Sequence, residues 1–165
     1  MTKIEILPLD GIVIENIGKL SLGQSKSEIE KLLGKPSDSS NLKQLFFDEY
    51  EGRSDLDKKG NAEFIEFIYG PFPEKTEVSI YGVDPFKIGA KKLTEILAEK
   101  NNGKIDDSEA DYSFTFLNIS VGVWRQLTEK NVEESIAEMK ADNEYEENKD
   151  WLNDDLEKAK NYWTI

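Results

Sequence analysis

A chain of 165 residues, 38% hydrophobic and 10% aromatic, carries enough apolar material for one compact domain and does not have the composition of a disordered segment. It contains neither cysteine nor histidine, which excludes disulfides, ordinary zinc sites, imidazole acid–base relays, and both Cys-His and Ser-His-Asp catalysis. A formal charge of −13, from 34 acidic against 21 basic residues, repels phosphate backbones and anionic lipid and raises encounter rates with basic surfaces.

In chain order, Ile4 and Ile6, extending towards Leu9, predict a short strand. Pro8 with Asp10-Gly11 marks a turn before Ile12-Val13-Ile14. Ser25-Lys26-Ser27-Glu28 is a capping box, and Ile29, Leu32 and Leu33 on one face define the helix behind it. Gly34 stands where a left-handed C-terminal cap belongs, and Pro36 forbids continuation. Leu45, Phe47 and Tyr50 predict a strand, Glu51 to Asn61 a polar connection, and Phe64 to Tyr69 an internal antiparallel strand covered on both faces. Gly70-Pro71-Phe72-Pro73 breaks that run, and Val78 to Tyr81 resumes as strand.

A second helix is predicted over Ala90 to Lys100, with Leu93, Ile96 and Leu97 at helical spacing and Asn101-Asn102-Gly103 as its stop. Asp106 to Asp111 reads as an acidic loop. Tyr112, Phe114 and Phe116 alternate, followed by Ile119, Val121 and Val123 with Trp124 on the opposite face, which fits either a bent strand or a tight hairpin. From Thr128 the pattern is helical and charged: Ile136 and Met139 give an apolar edge, Asp142 to Asn148 a polar break, and Leu152, Leu156, Ala159 and Trp163 a stripe. Thr164-Ile165 reads as a final strand that either pairs at a sheet edge or is cut short. The expected fold is α+β, an antiparallel sheet with helices on one face and amphipathic helices at the C-terminal end. It forms one domain over 1–165, and the matching triplets Ile29-Leu32-Leu33 and Leu93-Ile96-Leu97 allow a tandem helix-plus-strands repeat with sub-modules 1–81 and 82–165.

Residues Ile17 to Pro36, with the apolar-Gly step at Leu22-Gly23, the capped helix and the Leu-Gly-x-Pro exit at Leu33 to Pro36, resemble the opening of modules in the β-lactamase-inhibitor-protein-like superfamily, which includes small outer-membrane assembly lipoproteins. The likeness extends loosely to Tyr69. It implies helices on one face of an antiparallel sheet whose other face grips a protein. The chain has no cysteine to lipidate, so envelope roles do not carry over. In size, acidity and aromatic content it is also similar to toxin-immunity proteins of Gram-positive bacteria.

Chemistry-bearing motifs are few. Asp55 to Glu66 partly matches a calcium loop, but Lys59 would place an ammonium among the ligands, so a hairpin turn at Asp57 to Asn61 accounts for it better. Gly82-Val83-Asp84 and Gly89-Ala90 lack the spacing of a phosphate-cradling loop, and acidic residues are too abundant for a glycosidase pair to be singled out. No metal ligand set, cofactor site or catalytic residue is assigned, and the chain is read as a non-enzyme. The N-terminal residues lack a charged-then-apolar leader pattern, so a cytoplasmic protein is expected.

Among the aromatics Phe46, Tyr69, Phe72, Tyr81, Tyr112, Phe114, Phe116 and Trp124, most are expected in the core. Partner binding is assigned to Asp106, Asp107, Glu109 and Asp111 with the rings of Tyr112, Phe114, Trp124 and Tyr81. A minority reading makes Glu133, Glu134, Glu138, Asp150, Asp154 and Asp155 a decoy for nucleic-acid charge. The partner implied is a basic protein, with neither nucleic acid nor membrane contacted directly. An immunity protein that occludes a basic toxin is the leading expectation, and a housekeeping ligand-binding or self-assembling domain the alternative.

Overall fold

The computed structural model describes residues 1–68 and 72–165. Its elements run β1 (Thr2–Leu7), β2 (Gly11–Ile14), β3 (Gly18–Ser21), α1 (Lys26–Leu33), β4 (Gln44–Phe47), β5 (Gly52–Leu56), β6 (Ala62–Phe67), β7 (Thr76–Ile80), α2 (Ala90–Asn101), β8 (Ile105–Asp106), β9 (Ser113–Phe116), β10 (Val121–Trp124), α3 (Glu129–Ala141) and α4 (Tyr145–Ala159). The fold is α+β, with three mostly antiparallel sheets. Among the described residues no helix is long and apolar enough to cross a membrane.

The first sheet has the order β3-β2-β1-β7. β1 and β2 form a hairpin in which Leu9, expected in the strand, sits instead in the turn at φ +68° and is exposed. Gly11 is obligatory there: its φ is +141°, and a Cβ would lie 2.1 Å from the Leu20 carbonyl oxygen. β1 and β7 pair in parallel, with Ile4 beside Val78 and Ile6 beside Ile80. That pair departs from the expected all-antiparallel sheet, because α1 and a complete second sheet form the crossover between the two strands.

The capping box at Ser25 and Glu28 is formed, and Gly34 ends α1 at φ +87°. A three-stranded antiparallel sheet follows, β4-β5-β6. β5 lies inside the stretch expected to be a polar connection. Its inward residues are Gly52, Ser54 and Leu56, so only one of them carries an apolar side chain, while Arg53 and Asp55 point outward. The turn from β5 to β6 is held by the Asp57 carboxylate, which accepts from the amides of Lys59 (2.8 Å) and Asn61 (2.9 Å).

α2 ends at Asn102 in the left-handed conformation, and β10-β9-β8 form the third sheet. The bent-strand alternative for 112–124 is resolved as a hairpin, with Phe116 beside Val121 and Phe114 beside Val123. A helix followed by a three-stranded antiparallel meander therefore occurs twice. One core spans both meanders and the first sheet: Ile4, Ile14, Leu20, Ile29, Leu45, Val78, Ile80, Leu93, Leu97 and Phe116 are each at most 1% exposed.

α3 and α4 pack on each other, burying Val132 and Leu152. The break between them is only Asp142 to Glu144, because Tyr145 to Asn148 belong to α4. The segment behind α4 caps α2, whose N-cap Gly89 offers no side chain: Lys160 O accepts from Ala90 N at 2.7 Å, and Asn161 Oδ1 from Gly89 N at 2.9 Å. The Tyr162 hydroxyl meets Thr94 Oγ1 at 2.8 Å.

Candidate functional site: an open groove between two sheet edges

The outer face of the two meanders follows from strand parity. Buried Leu45, Phe47, Phe67, Phe116, Val121 and Val123 face the core, so Phe46, Arg53, Asp55, Phe64, Glu66, Ser113, Thr115 and Trp124 face away from it. Thr164 and Ile165 join the sheets. Trp124 N donates to Thr164 O and Thr164 N to Trp124 O, while Phe67 and Ile165 exchange amide hydrogen bonds of 2.9 and 3.3 Å. The final segment, expected as a strand, forms an isolated bridge at Thr164 and an amide pair at Ile165 in its place, and so touches two sheet edges at once.

β6 was expected to be internal and covered on both faces. It is the edge strand of its sheet, and Phe64 on its outer side is 44% exposed. The reason lies in the pairing: on the outer edge of β6, Phe67 at one end meets Ile165 and Ala62 at the other exchanges hydrogen bonds with Gly23 and Gln24, while no named strand runs along the residues between them. Tyr69, Gly70 and Pro71, assigned to the end of that run and its break, lie outside the described residues.

Beside this bridging segment lies a groove of about 540 Å³ between β6 and β10. Ile6, Ile12, Val121 and Val123 line its depth, and Leu9, Leu22, Phe64, Leu117 and Trp124 its rim. Each of the five rim side chains is at least 39% exposed. Together they make an unusual concentration of accessible apolar surface on a chain of this charge. Glu63 and Glu66 are the charged residues of the lining.

Glu66 belongs to a crowded charge cluster. Arg53 Nε lies 2.8 Å from Glu66 Oε2 and 3.4 Å from Asp55 Oδ1. Yet the geometry is poor, and both Arg53 Nε and Asp55 Oδ1 are buried without a hydrogen bond among the described residues. Burial pushes the Glu66 carboxyl above its ordinary range; Arg53 opposes this, Asp55 adds to it, and the Thr164 hydroxyl beside it opposes it weakly. The cluster is thus short of cationic and donor partners.

The predicted partner-binding residues divide. Asp106 lies on the outer face beside Thr115, and the loop carrying Asp107, Glu109 and Asp111 enters β9 at the end where Trp124 stands. Arg125 Nε donates to the Asp111 carbonyl at 2.6 Å, which ties that loop to β10. None of the four carboxylates has an ion pair among the described residues. The Ser108 hydroxyl and amide hold Asp106 below the ordinary carboxylate range. Trp124 is 41% exposed and packs edge-to-face on Trp163, 6.3 Å between centroids. Tyr112 donates to Asn131 Oδ1 of α3 at 2.8 Å.

Phe114 faces inward, stacks on Phe116 and packs against the core. Tyr81, expected as the last residue of a strand, lies in the turn after β7 at φ +51°, with Lys100 Nζ 5.6 Å above its ring, where a second cation would be repelled. In the tail, Glu134, Asp154 and Asp155 already face lysines, which dilutes the decoy charge. Composition and alternation do not point to Ile65, Gly122, Glu63, Glu66 or Thr164 as site residues. Only the clustering of Phe64 with Glu63 and Glu66 hinted at an accessible face.

The fold and groove define an α+β protein with two helix-meander units and an open seam between them. Comparison with known proteins finds no matching family model, no matching curated protein and no matching solved structure.

Proposed function

We propose that this chain is a non-catalytic binding protein that seats a basic protein on the outer face of its joined meanders. In its specific form it is a cytoplasmic immunity protein or inhibitor that occludes a cognate basic toxin. The observation that carries the reading is the groove: exposed Phe64 and Trp124 on opposite banks, and Glu63 and Glu66 as its charged lining. Rings flanked by Glu63 and by Glu66, whose one arginine also faces Asp55, suit a lysine- or arginine-rich surface, which gains ring contact, cation–π attraction and ion pairing together. The acidic loop at the Trp124 end extends the same field, and a net charge of −13 works against nucleic acid as the direct partner.

The test is affinity capture from the native host with the wild-type chain and with a Phe64→Ala, Trp124→Ala double variant. The expected result is a basic protein that the wild type retains and the double variant loses. Repeated capture of no basic protein, or equal capture by both, overturns the proposal. The apolar depth of the groove favours a second reading, a carrier of an apolar small molecule, since about 540 Å³ falls in the size range of ligand pockets. Native mass spectrometry of the purified chain, showing a retained small molecule, would support that alternative.

A further inference from the structure

The sequence contains a single Asn-Gly step, Asn102-Gly103, and it stands at the end of α2. An asparagine followed by glycine is open to a reaction within the chain itself, because a backbone nitrogen beside no Cβ can reach the preceding side-chain carbonyl. Both reacting groups are free. Asn102 is exposed, and among the described residues neither its carboxamide nor the Gly103 N–H makes a hydrogen bond.

The main chain between them is held. Asn102 is left-handed, at φ +41° and ψ +45°. Closing a five-membered ring needs Gly103 N eclipsed with the Asn102 Cβ, which tetrahedral geometry at Cα sets at ψ of about −120°. At +45° the nitrogen lies on the far side of the Cα–C bond. Two neighbouring asparagines keep it there. Asn101, 2% exposed, accepts from the Asn118 amide through Oδ1 at 2.8 Å and donates through Nδ2 to Lys104 O at 3.1 Å. The Asn118 carboxamide lies over Gly103, where a Cβ would come within 2.0 Å of its Nδ2, and that Nδ2 donates to Asn102 O at 3.5 Å. The chain on both sides of Asn102-Gly103 is thereby fastened to the turn between β9 and β10.

We infer that Asn102-Gly103 is a site of spontaneous deamidation, and that the clasp between Asn101 and Asn118 is the gate that sets its rate. The inference stands apart from the binding role. When the clasp opens and ψ turns, Gly103 N attacks Asn102 Cγ. The N–Cγ bond forms, the Cγ–Nδ2 bond breaks, and the carboxamide nitrogen leaves as ammonia with the proton of the Gly103 amide. Water then opens the cyclic imide at either carbonyl. One product is aspartate at 102. The other is isoaspartate, whose main chain runs through Cγ and is longer by one carbon. Aspartate places a negative charge at the carboxyl end of α2, where the helix dipole disfavours it, and the longer chain of isoaspartate displaces Gly103 from its fit under the Asn118 carboxamide. Conversion therefore loosens the joint between α2 and the hairpin that carries Trp124.

The experiment incubates the full chain at mildly alkaline pH, folded in buffer and unfolded in guanidinium chloride, and follows residue 102 by peptide mass spectrometry with isoaspartate detection. The unfolded chain is expected to gain the mass of an amide-to-acid exchange at Asn102 ahead of every other asparagine. The folded chain converts at the same residue at least about tenfold more slowly, since the reaction runs only through the opened clasp. Asn118→Ala, at an exposed position, leaves the unfolded rate unchanged and raises the folded rate at least about threefold, with a thermal midpoint close to wild type. Aged wild type unfolds at a lower temperature than fresh protein, and aged Asn102→Gln does not.

Equal rates in the folded and unfolded chain, first conversion at another asparagine, or a folded Asn118→Ala rate equal to wild type would each overturn the inference. A folded rate that climbs with low denaturant as steeply as global unfolding does would place the gate in the whole fold and overturn it too.

Discussion

Two glutamates separated by fifteen positions show two ways of handling a carboxylate withdrawn from water. Glu51, at φ +49° in the β4–β5 turn and 5% exposed, accepts from the amides of Glu74 (2.6 Å) and Thr76 (3.0 Å) and from the Thr76 hydroxyl (2.5 Å). Burial pushes it up, but those donors together outweigh the burial and hold it below its ordinary value. Glu66 is half-buried with an ill-aimed arginine and a competing aspartate, and burial prevails. The first is completed by its own fold and fastens the second sheet to the start of β7. The second stands on a groove wall, where Arg53 and the Thr164 hydroxyl only partly offset its burial.

The largest effect is expected at the completed site. Glu51→Gln keeps the shape but presents an NH2 to a set of donors, and should lower unfolding free energy by about 3 kcal/mol in urea titration. An unchanged midpoint would break the contrast. Its pH dependence has a definite sign. Because the folded Glu51 value lies below the ordinary 4.5, its stabilisation is fully present above about pH 4.5 and is lost as pH falls through the folded value. The stability gap between wild type and Glu51→Gln should therefore narrow on acidification below pH 4.5. Thr76→Val removes one of the donors and should cost less, about 1 kcal/mol, because the two amides remain.

Little of this contrast was legible beforehand, and the reason is distance along the chain. Signals confined to a few residues read correctly: the Ser25–Glu28 box, the Asp57 turn, and the alternation that sets Trp124 opposite Val121 and Val123. β5 was invisible because its inward positions are Gly52 and Ser54, and a strand interior without side-chain bulk leaves no period to detect. The edge position of β6 and the parallel β1–β7 pair depend on which strands meet after long excursions, which no local pattern encodes. The acidic loop and Trp124 could be nominated from sequence. The groove walls at Ile65 and Gly122 could not, since they come together only where two sheets meet after long excursions of the chain.

The smallest stability effect, and the sharpest test of the contrast, belongs to Glu66. Glu66→Gln removes a charge whose burial is poorly offset, so the change in unfolding free energy should stay within about 1 kcal/mol, well under that at Glu51. Binding should respond instead. An acid whose folded value is raised holds its proton longer as pH climbs, and a cationic guest favours the ionised form. Affinity for the basic protein partner should therefore rise with pH through the raised Glu66 range, and proton release on binding should be measurable there by calorimetry in buffers of different ionisation enthalpy. Glu66→Gln should bind more weakly at neutral pH, by roughly three- to tenfold, and lose most of that pH dependence. The variant keeps Arg53, Asp55 and Glu63 in place, so a pH profile identical to wild type would mean that Glu66 completes nothing, and that its strain is a local accident of β5 and β6 packing.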